Sequence, residues 1–117
     1  MKTKNKKIVY FGGTFDIISW GHCKSLELCK SFGDFLIVGL NTDKLVRSYK
    51  KREPLYPFYQ KKFVLESISF VDKVIPVNSF SPIEILKKLK PDVYVIGSEF
   101  VKIHKKSSMS SQSLKKD

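Results

Sequence analysis

The chain has 117 residues, 42% of them apolar, which suits one hydrophobic core and a single domain over residues 1–117 and leaves little room for two. Lysine and arginine number 22 against 11 acidic residues, and the net charge of +11 asks for an anionic partner: a phosphorylated small molecule, nucleic acid or an anionic membrane surface. The charge comes without a recognition helix, zinc finger or aromatic RNA-binding motif, which counts against nucleic acid, and without an apolar run long enough to span a bilayer or form a signal peptide, so a cytoplasmic location is expected.

In chain order, Ile8 to Phe11 reads as a strand, Gly21 to Ser31 as a partly apolar helix, and Phe35 to Gly39 as a strand buried on both faces. Cys23 and Cys29 sit six apart on that helix, on separated parts of its surface, so both are expected as reduced thiols. Thr42-Asp43 opens a turn or short helix, Tyr49 to Glu53 is a charged loop, and a helix over about residues 57–70 packs Phe63, Val64, Ser67, Ile68 and Val71. Lys73 to Val77 is a strand, Ser81-Pro82 starts a helix through Leu89, and Val93 to Ile96 is a fourth strand. Alternating strands and helices imply right-handed crossovers and an α/β fold: a Rossmann-like, three-layer α/β/α arrangement on a parallel sheet of about five strands, Val101 to Ile103 supplying the last.

The chemistry concentrates in Gly12-Gly13-Thr14-Phe15-Asp16-Ile17-Ile18-Ser19-Trp20-Gly21-His22, where the first strand turns into the first helix. In a doubly wound sheet that carboxyl edge is where ligands bind. Glycines let the backbone approach oxygen atoms, amides at a helix start donate to anions, and a histidine beside them adds a donor. The arrangement suits a triphosphate.

This segment resembles the GTFD…HxGH signature of the cytidylyltransferase-like nucleotidyltransferase superfamily, and Gly33-Asp34-Phe35, Asn41-Thr42-Asp43, Val71-Asp72-Lys73, Lys90-Pro91-Asp92 and Gly97-Ser98-Glu99-Phe100 follow in that family's order. Trp20 resembles the glycerol-3-phosphate cytidylyltransferase branch, whereas Asn41-Thr42-Asp43 and Ser81 to Leu86 resemble the heptose-phosphate adenylyltransferases. The resemblance implies direct transfer of a nucleotidyl group from a nucleoside triphosphate, CTP ahead of ATP, to a phosphorylated alcohol or sugar, with release of pyrophosphate and no covalent enzyme intermediate. Magnesium would accompany the nucleotide, no protein-ligated metal is expected, and a homodimer is, with Phe58, Tyr59 and Phe63 either forming its apolar face or filling the core.

The same resemblance assigns roles. Backbone amides of Gly13, Thr14 and Phe15 would cradle phosphates, Asp16 would orient the loop, and His22 would contact the α-phosphate. Lys50 or Lys51 is the phosphate-binding lysine, and Lys61 stands where the family has an arginine at the start of its long central helix. Gly97 and Glu99 belong to the nucleotide site, with Lys105, Ser110 and Ser111 as the basic and hydroxyl-bearing positions at the C-terminal end. Residues 107–117 form either that final turn and helix or a flexible tail. Trp20 either stacks on a base or packs at the helix end; His104 is taken as incidental.

Three departures bear on activity. Ser19 replaces the first histidine of HxGH, and loss of one preorganised donor typically costs about 10²- to 10³-fold in rate. Lys61 replaces a bidentate fork with a point charge, and Glu99 is one methylene longer than the usual acid. Two other readings therefore stand beside the enzyme: a catalytically weakened homologue that binds nucleotide as a regulatory or assembly subunit, and a basic protein that uses its lysines on nucleic acid or anionic lipid.

Overall fold

The computed structural model describes residues 6–96 and, as backbone, the strand 101–104. The elements run β1 (Ile8–Gly13), α1 (Trp20–Ser31), β2 (Phe35–Asn41), α2 (Asp43–Lys50), α3 (Phe58–Glu66), β3 (Lys73–Val77), α4 (Ile83–Leu89), β4 (Val93–Ile96) and β5 (Val101–His104). They build one sheet in the order β3-β2-β1-β4-β5. The first four strands are parallel, as the alternation requires; β5 folds back antiparallel on β4 and so departs from the all-parallel expectation.

Side chains alternate across the sheet with the period of two that strands impose. Val9, Phe11, Leu36, Val38, Leu40, Val74 and Val95 face α1 and α3, where Leu26, Cys29 and Leu65 complete the larger core. Tyr10 and Ile37 face the opposite layer and meet Leu86 of α4, with Ile75 and Tyr94 beside them. The three layers follow from this division. Burial pushes the Cys29 thiol up to about 12, so it remains a packed, inert thiol, and both cysteines are free.

The amino edge of the sheet is pinned by a repeated device. Asp34, Asp72 and Asp92 each stand one residue before a strand. Their side chains accept from the backbone N–H of Lys7 at 2.9 Å, Leu36 at 2.8 Å and Ile8 at 2.8 Å, respectively. Their own N–H groups donate to the carbonyls of those same three residues at 2.8, 2.9 and 2.8 Å. Each aspartate closes a two-bond ring on its neighbouring strand and sets the register there. The opposite, carboxyl edge is left for ligands.

Two helices differ from the sequence reading. The segment after Thr42 is a full helix whose N-cap Thr42 accepts from Leu45 N–H, and it absorbs Tyr49 and Lys50 from the expected loop before Lys51 ends it in a left-handed conformation (φ 56°). Helix α3 is shorter than expected, and its inward face carries Lys61 and Leu65, with Ile68 against the core beyond its end. Phe63 and Val64, expected to pack, are exposed, as is Tyr59, while Phe58 packs against the core. The inward stripe runs through a lysine, which shifts it off the purely apolar positions.

Candidate active site at the carboxyl edge

The site begins with backbone geometry. After β1 the chain turns at Phe15, whose φ of 51° is uncommon for a side chain of that size. Such a conformation costs of order 1–3 kcal/mol and persists where the surroundings over-determine it. Here the Phe15 ring is buried, edge-on to Phe11 with centroids 6.0 Å apart and 5.5 Å from the His22 ring. With Phe15 anchored inward, Thr14 and Asp16 on either side of it are gripped by other elements.

Thr14 is held at both ends. Its hydroxyl is hydrogen-bonded to the Tyr49 hydroxyl and accepts from Asn41 Nδ2 at 3.0 Å, and its carbonyl accepts from Lys61 Nζ at 3.1 Å. Asp16 faces three cations: Lys50 at 3.2 Å, Lys61 at 3.5 Å and Arg52 at 3.6 Å. Burial alone would raise its pKa, but the Lys50 hydrogen bond and the charges of Lys50 and Lys61 outweigh it and hold the carboxyl below its usual value. Lys61 itself is 2% exposed, so it works on the turn from beneath, through Thr14 and Asp16.

Helix α1 starts at Trp20 with Ser19 as its N-cap. The Ser19 N–H donates to His22 Nδ1 at 3.2 Å, one arm of a capping box, and the Ser19 hydroxyl lies 3.3 Å from the same nitrogen. An Nδ1 that accepts places the proton of a neutral imidazole on Nε2, which is then a donor. The first intrahelical bond runs from Cys23 N–H to Ser19 carbonyl at 3.0 Å, and the amides before it have no intrahelical acceptor. These groups, with Phe11 to Phe15, Gly21 and Ser25, line a cleft of about 430 Å³.

A second cleft of about 220 Å³ opens on the other side of Gly12 and Gly13, which line both. Its walls are aromatic, from Tyr10, Phe80 and Tyr94, with Asn41 and Ser79 among the polar groups. Tyr10 and Tyr94 stack at 5.8 Å, and burial raises both phenols above the ordinary tyrosine value, Tyr94 adding to the effect on Tyr10. Both stay neutral hydrogen-bonding groups at physiological pH.

The structure thus brings together Gly13, Thr14, Phe15, Asp16, Ser19, His22, Lys50 and Lys61. Lys51 is the exposed C-cap of α2, one residue past Lys50, which is the lysine paired with Asp16. Trp20 is 76% exposed with Lys24 over its ring at 5.9 Å, so it does not pack at the helix end. Gly97, Glu99, Lys105, Ser110 and Ser111 lie outside the described residues. Sequence reasoning missed Asn41, Tyr49 and Arg52; only Asn41 carried a usable signal, as a polar residue ending a strand at the ligand edge. Among the described residues no three His, Cys, Asp or Glu side chains gather as a metal site, and no helix is long and apolar enough to cross a membrane.

A Rossmann-like sheet whose first strand runs through a glycine-rich turn into a helix start, beside a histidine donor and a lysine, is the arrangement in which α/β folds present backbone amides to phosphate groups. A family profile described as cytidylyltransferase-like matches residues 10–115, and the chain belongs to that nucleotidyltransferase family. It is 42% identical over 101 residues to the bifunctional protein HldE of Campylobacter jejuni subsp. doylei, covering 86% of this chain and 22% of that protein. The HldE of Helicobacter pylori is 35% identical over 102 residues, again covering 86% of this chain and 22% of the relative. The chain therefore spans about a fifth of the length of the curated relatives it matches. Among solved structures, the lipopolysaccharide core biosynthesis protein of Thermoplasma volcanium superposes with a TM-score of 0.69 at 25% identity, over 76% of this chain and 72% of that one.

Proposed function

We propose that the chain transfers a nucleotidyl group from ATP to a sugar phosphate, releasing pyrophosphate. The observation that carries this reading is the pair of clefts sharing the Gly12-Gly13 wall: an amide- and histidine-lined cleft for the triphosphate on one side and an aromatic and polar cleft on the other. Two substrates bound there would bring their phosphates together past the rim of that wall, at the carboxyl end of β1. Stacked aromatics with an amide and a hydroxyl suit a polyol, whose C–H faces and hydroxyls they would contact.

In this mechanism an acceptor phosphate oxygen attacks the α-phosphorus, a new P–O bond forms, and the bond to the β-phosphate oxygen breaks with its electron pair going to pyrophosphate. No base is needed, because the attacking oxygen is already ionised. His22 Nε2 would donate to an α-phosphate oxygen as charge builds there, and first-turn amides of α1 with those of Gly13 and Thr14 would hold the remaining oxygens. Lys50 would exchange its partner Asp16 for phosphate, while Lys61 keeps the turn in place. Magnesium bound with the triphosphate would supply positive charge to balance that gathering on the pyrophosphate as it leaves.

ATP and a sugar phosphate are favoured over CTP and an alcohol phosphate because the HldE relatives and the lipopolysaccharide-core neighbour agree with the resemblance of residues 41–43 and 81–86 to heptose-phosphate adenylyltransferases. CTP remains the second reading on one observation, the exposed Trp20 beside the triphosphate cleft. Pyrophosphate release is the test, with magnesium and either ATP or CTP against a panel of sugar phosphates and glycerol 3-phosphate, run beside thermal shift with each nucleotide. Release with ATP and a sugar phosphate supports the proposal, and release with CTP alone reverses the nucleotide assignment. Stabilisation without release identifies a nucleotide-binding homologue, and the absence of both release and stabilisation overturns the nucleotide reading.

A further inference from the structure

The phosphate turn is gripped by two consecutive residues at the end of α2. Tyr49 takes the hydroxyl of Thr14, and Lys50 takes the carboxylate of Asp16. The lysine has a ready partner in phosphate; the tyrosine does not, and the transfer chemistry above leaves it unused.

The hydrogen-bond inventory of Thr14 gives Tyr49 a role. A threonine hydroxyl has one proton and two lone pairs. Asn41 Nδ2 occupies one lone pair at 3.0 Å and Tyr49 a second valence, while the Thr14 carbonyl is taken by Lys61 at 3.1 Å. What Thr14 itself has left to offer a phosphate is its N–H. The direction of that N–H is fixed by the plane of the preceding peptide, which lies between Gly13, the last residue of β1, and the anchored Thr14. Tyr49 is in turn placed by its ring, which meets Phe80 edge-on at 5.2 Å, so the hydroxyl is aimed by packing outside the turn.

We propose that Tyr49 is a positioning residue: acting through the Thr14 hydroxyl, it holds the phosphate turn in the orientation that binds the triphosphate. This rests on the nucleotidyltransferase reading. The Tyr49→Phe substitution removes one oxygen and keeps the ring on Phe80, and Thr14→Val removes the hydroxyl that Tyr49 holds.

The experiment is calorimetric titration of the 117-residue protein with ATP and, separately, CTP, each with magnesium, for the wild type, both single variants and the double variant, well below their unfolding temperatures. One lost hydrogen bond corresponds to roughly a 2- to 12-fold weakening. Tyr49→Phe should weaken binding of the nucleotide by that factor, and the double variant should be no weaker than Thr14→Val alone. If Tyr49 serves only stability, Tyr49→Phe will unfold at lower temperature yet bind within twofold of wild type, and that result overturns the proposal, as does a fully additive double variant. A wild-type protein that binds neither nucleotide overturns the transferase reading and this proposal with it.

Discussion

Gly39 offers the sharpest test of how the sheet shapes the site. A β-carbon added there would lie 2.0 Å from Tyr10 Oη, 2.7 Å from its Cζ and 2.9 Å from its Cε1. Non-bonded carbons settle at about 3.5–4.0 Å, so the tip of the ring would have to retreat by roughly 1.5 Å. It has little room: Tyr10 is 3% exposed, stacked on Tyr94 and packed with Ile37 and Leu86. Overpacking of this kind typically costs about 1–3 kcal/mol, and in a chain of this size each 1 kcal/mol moves the melting temperature by roughly 4 °C. Gly39→Ala is therefore expected to lower the melting temperature by roughly 4–12 °C and, because Tyr10 walls the second cleft, to raise the KM for the acceptor more than that for the nucleotide. Calorimetry and steady-state kinetics read both. A Gly39→Ala protein melting within about 1 °C of wild type would show that the Tyr10 ring does not cross Gly39 and would refute the pairing of Gly12 with Gly39 between β1 and β2.

Three further outcomes follow from the charge and hydrogen-bond pattern. Asp16 has a depressed folded pKa, so its ion pairs contribute stability above the ordinary carboxylate range and lose it as pH falls through the depressed value; Asp16→Asn should unfold more easily at neutral pH and show a shallower loss on acidification. Urea unfolding at neutral and acidic pH measures this, and an unchanged slope would remove Asp16 as the anchor of the turn. His22→Ala should lower kcat by about 10²- to 10³-fold while nucleotide affinity, by titration, changes only a few fold; a loss confined to affinity would contradict a role in the transition state. Ser19→His should move two observables in opposite directions, losing roughly 1 kcal/mol of stability with the N-cap while raising kcat, and a variant less stable but no faster would argue that the serine is simply the better residue in this chain.

Much of this architecture was legible because backbone strands announce themselves. Lys73–Val77 and Val93–Ile96 occupy the ranges their short β-rich apolar runs predicted, and the glycine-rich turn lies where the first run ends. Helix α3 was misread for a physical reason. Its buried stripe includes Lys61, whose aliphatic stem crosses the interior to place an amine between Thr14 and Asp16, and a pattern reading that treats every lysine as surface turns the helix toward Phe63 and Val64 instead. The same blindness hid Tyr49 and Arg52. Both act through contacts with residues far away in sequence, and nothing in their local spacing marks them. Helix α2 buries only Leu45 and Val46, too little apolar periodicity to separate a helix from a charged loop.

The aspartates at the amino edge show how sequence resemblance and chemical role come apart. Asp34, Asp72 and Asp92 stand in segments that match the family pattern, and each is an acidic residue of a kind that could serve catalysis. In the fold they face strand amides at the edge away from the glycine-rich turn, where they fix how β1, β2, β3 and β4 align. Alignment at that edge determines what lies opposite what at the other: it pairs Gly12 with Gly39, which admits the Tyr10 ring, and carries Gly13 to the level of Leu40, just before Asn41 can reach Thr14. A strand of six residues carries that registration over about 20 Å. The carboxylates that set the geometry of the site are thus remote from it, while the one acidic side chain at the site among the described residues, Asp16, is bound to cations that hold the turn rather than free for acid–base work. That division fits a transfer between two ionised phosphates, for which the protein must place groups and balance charge but need not move a proton.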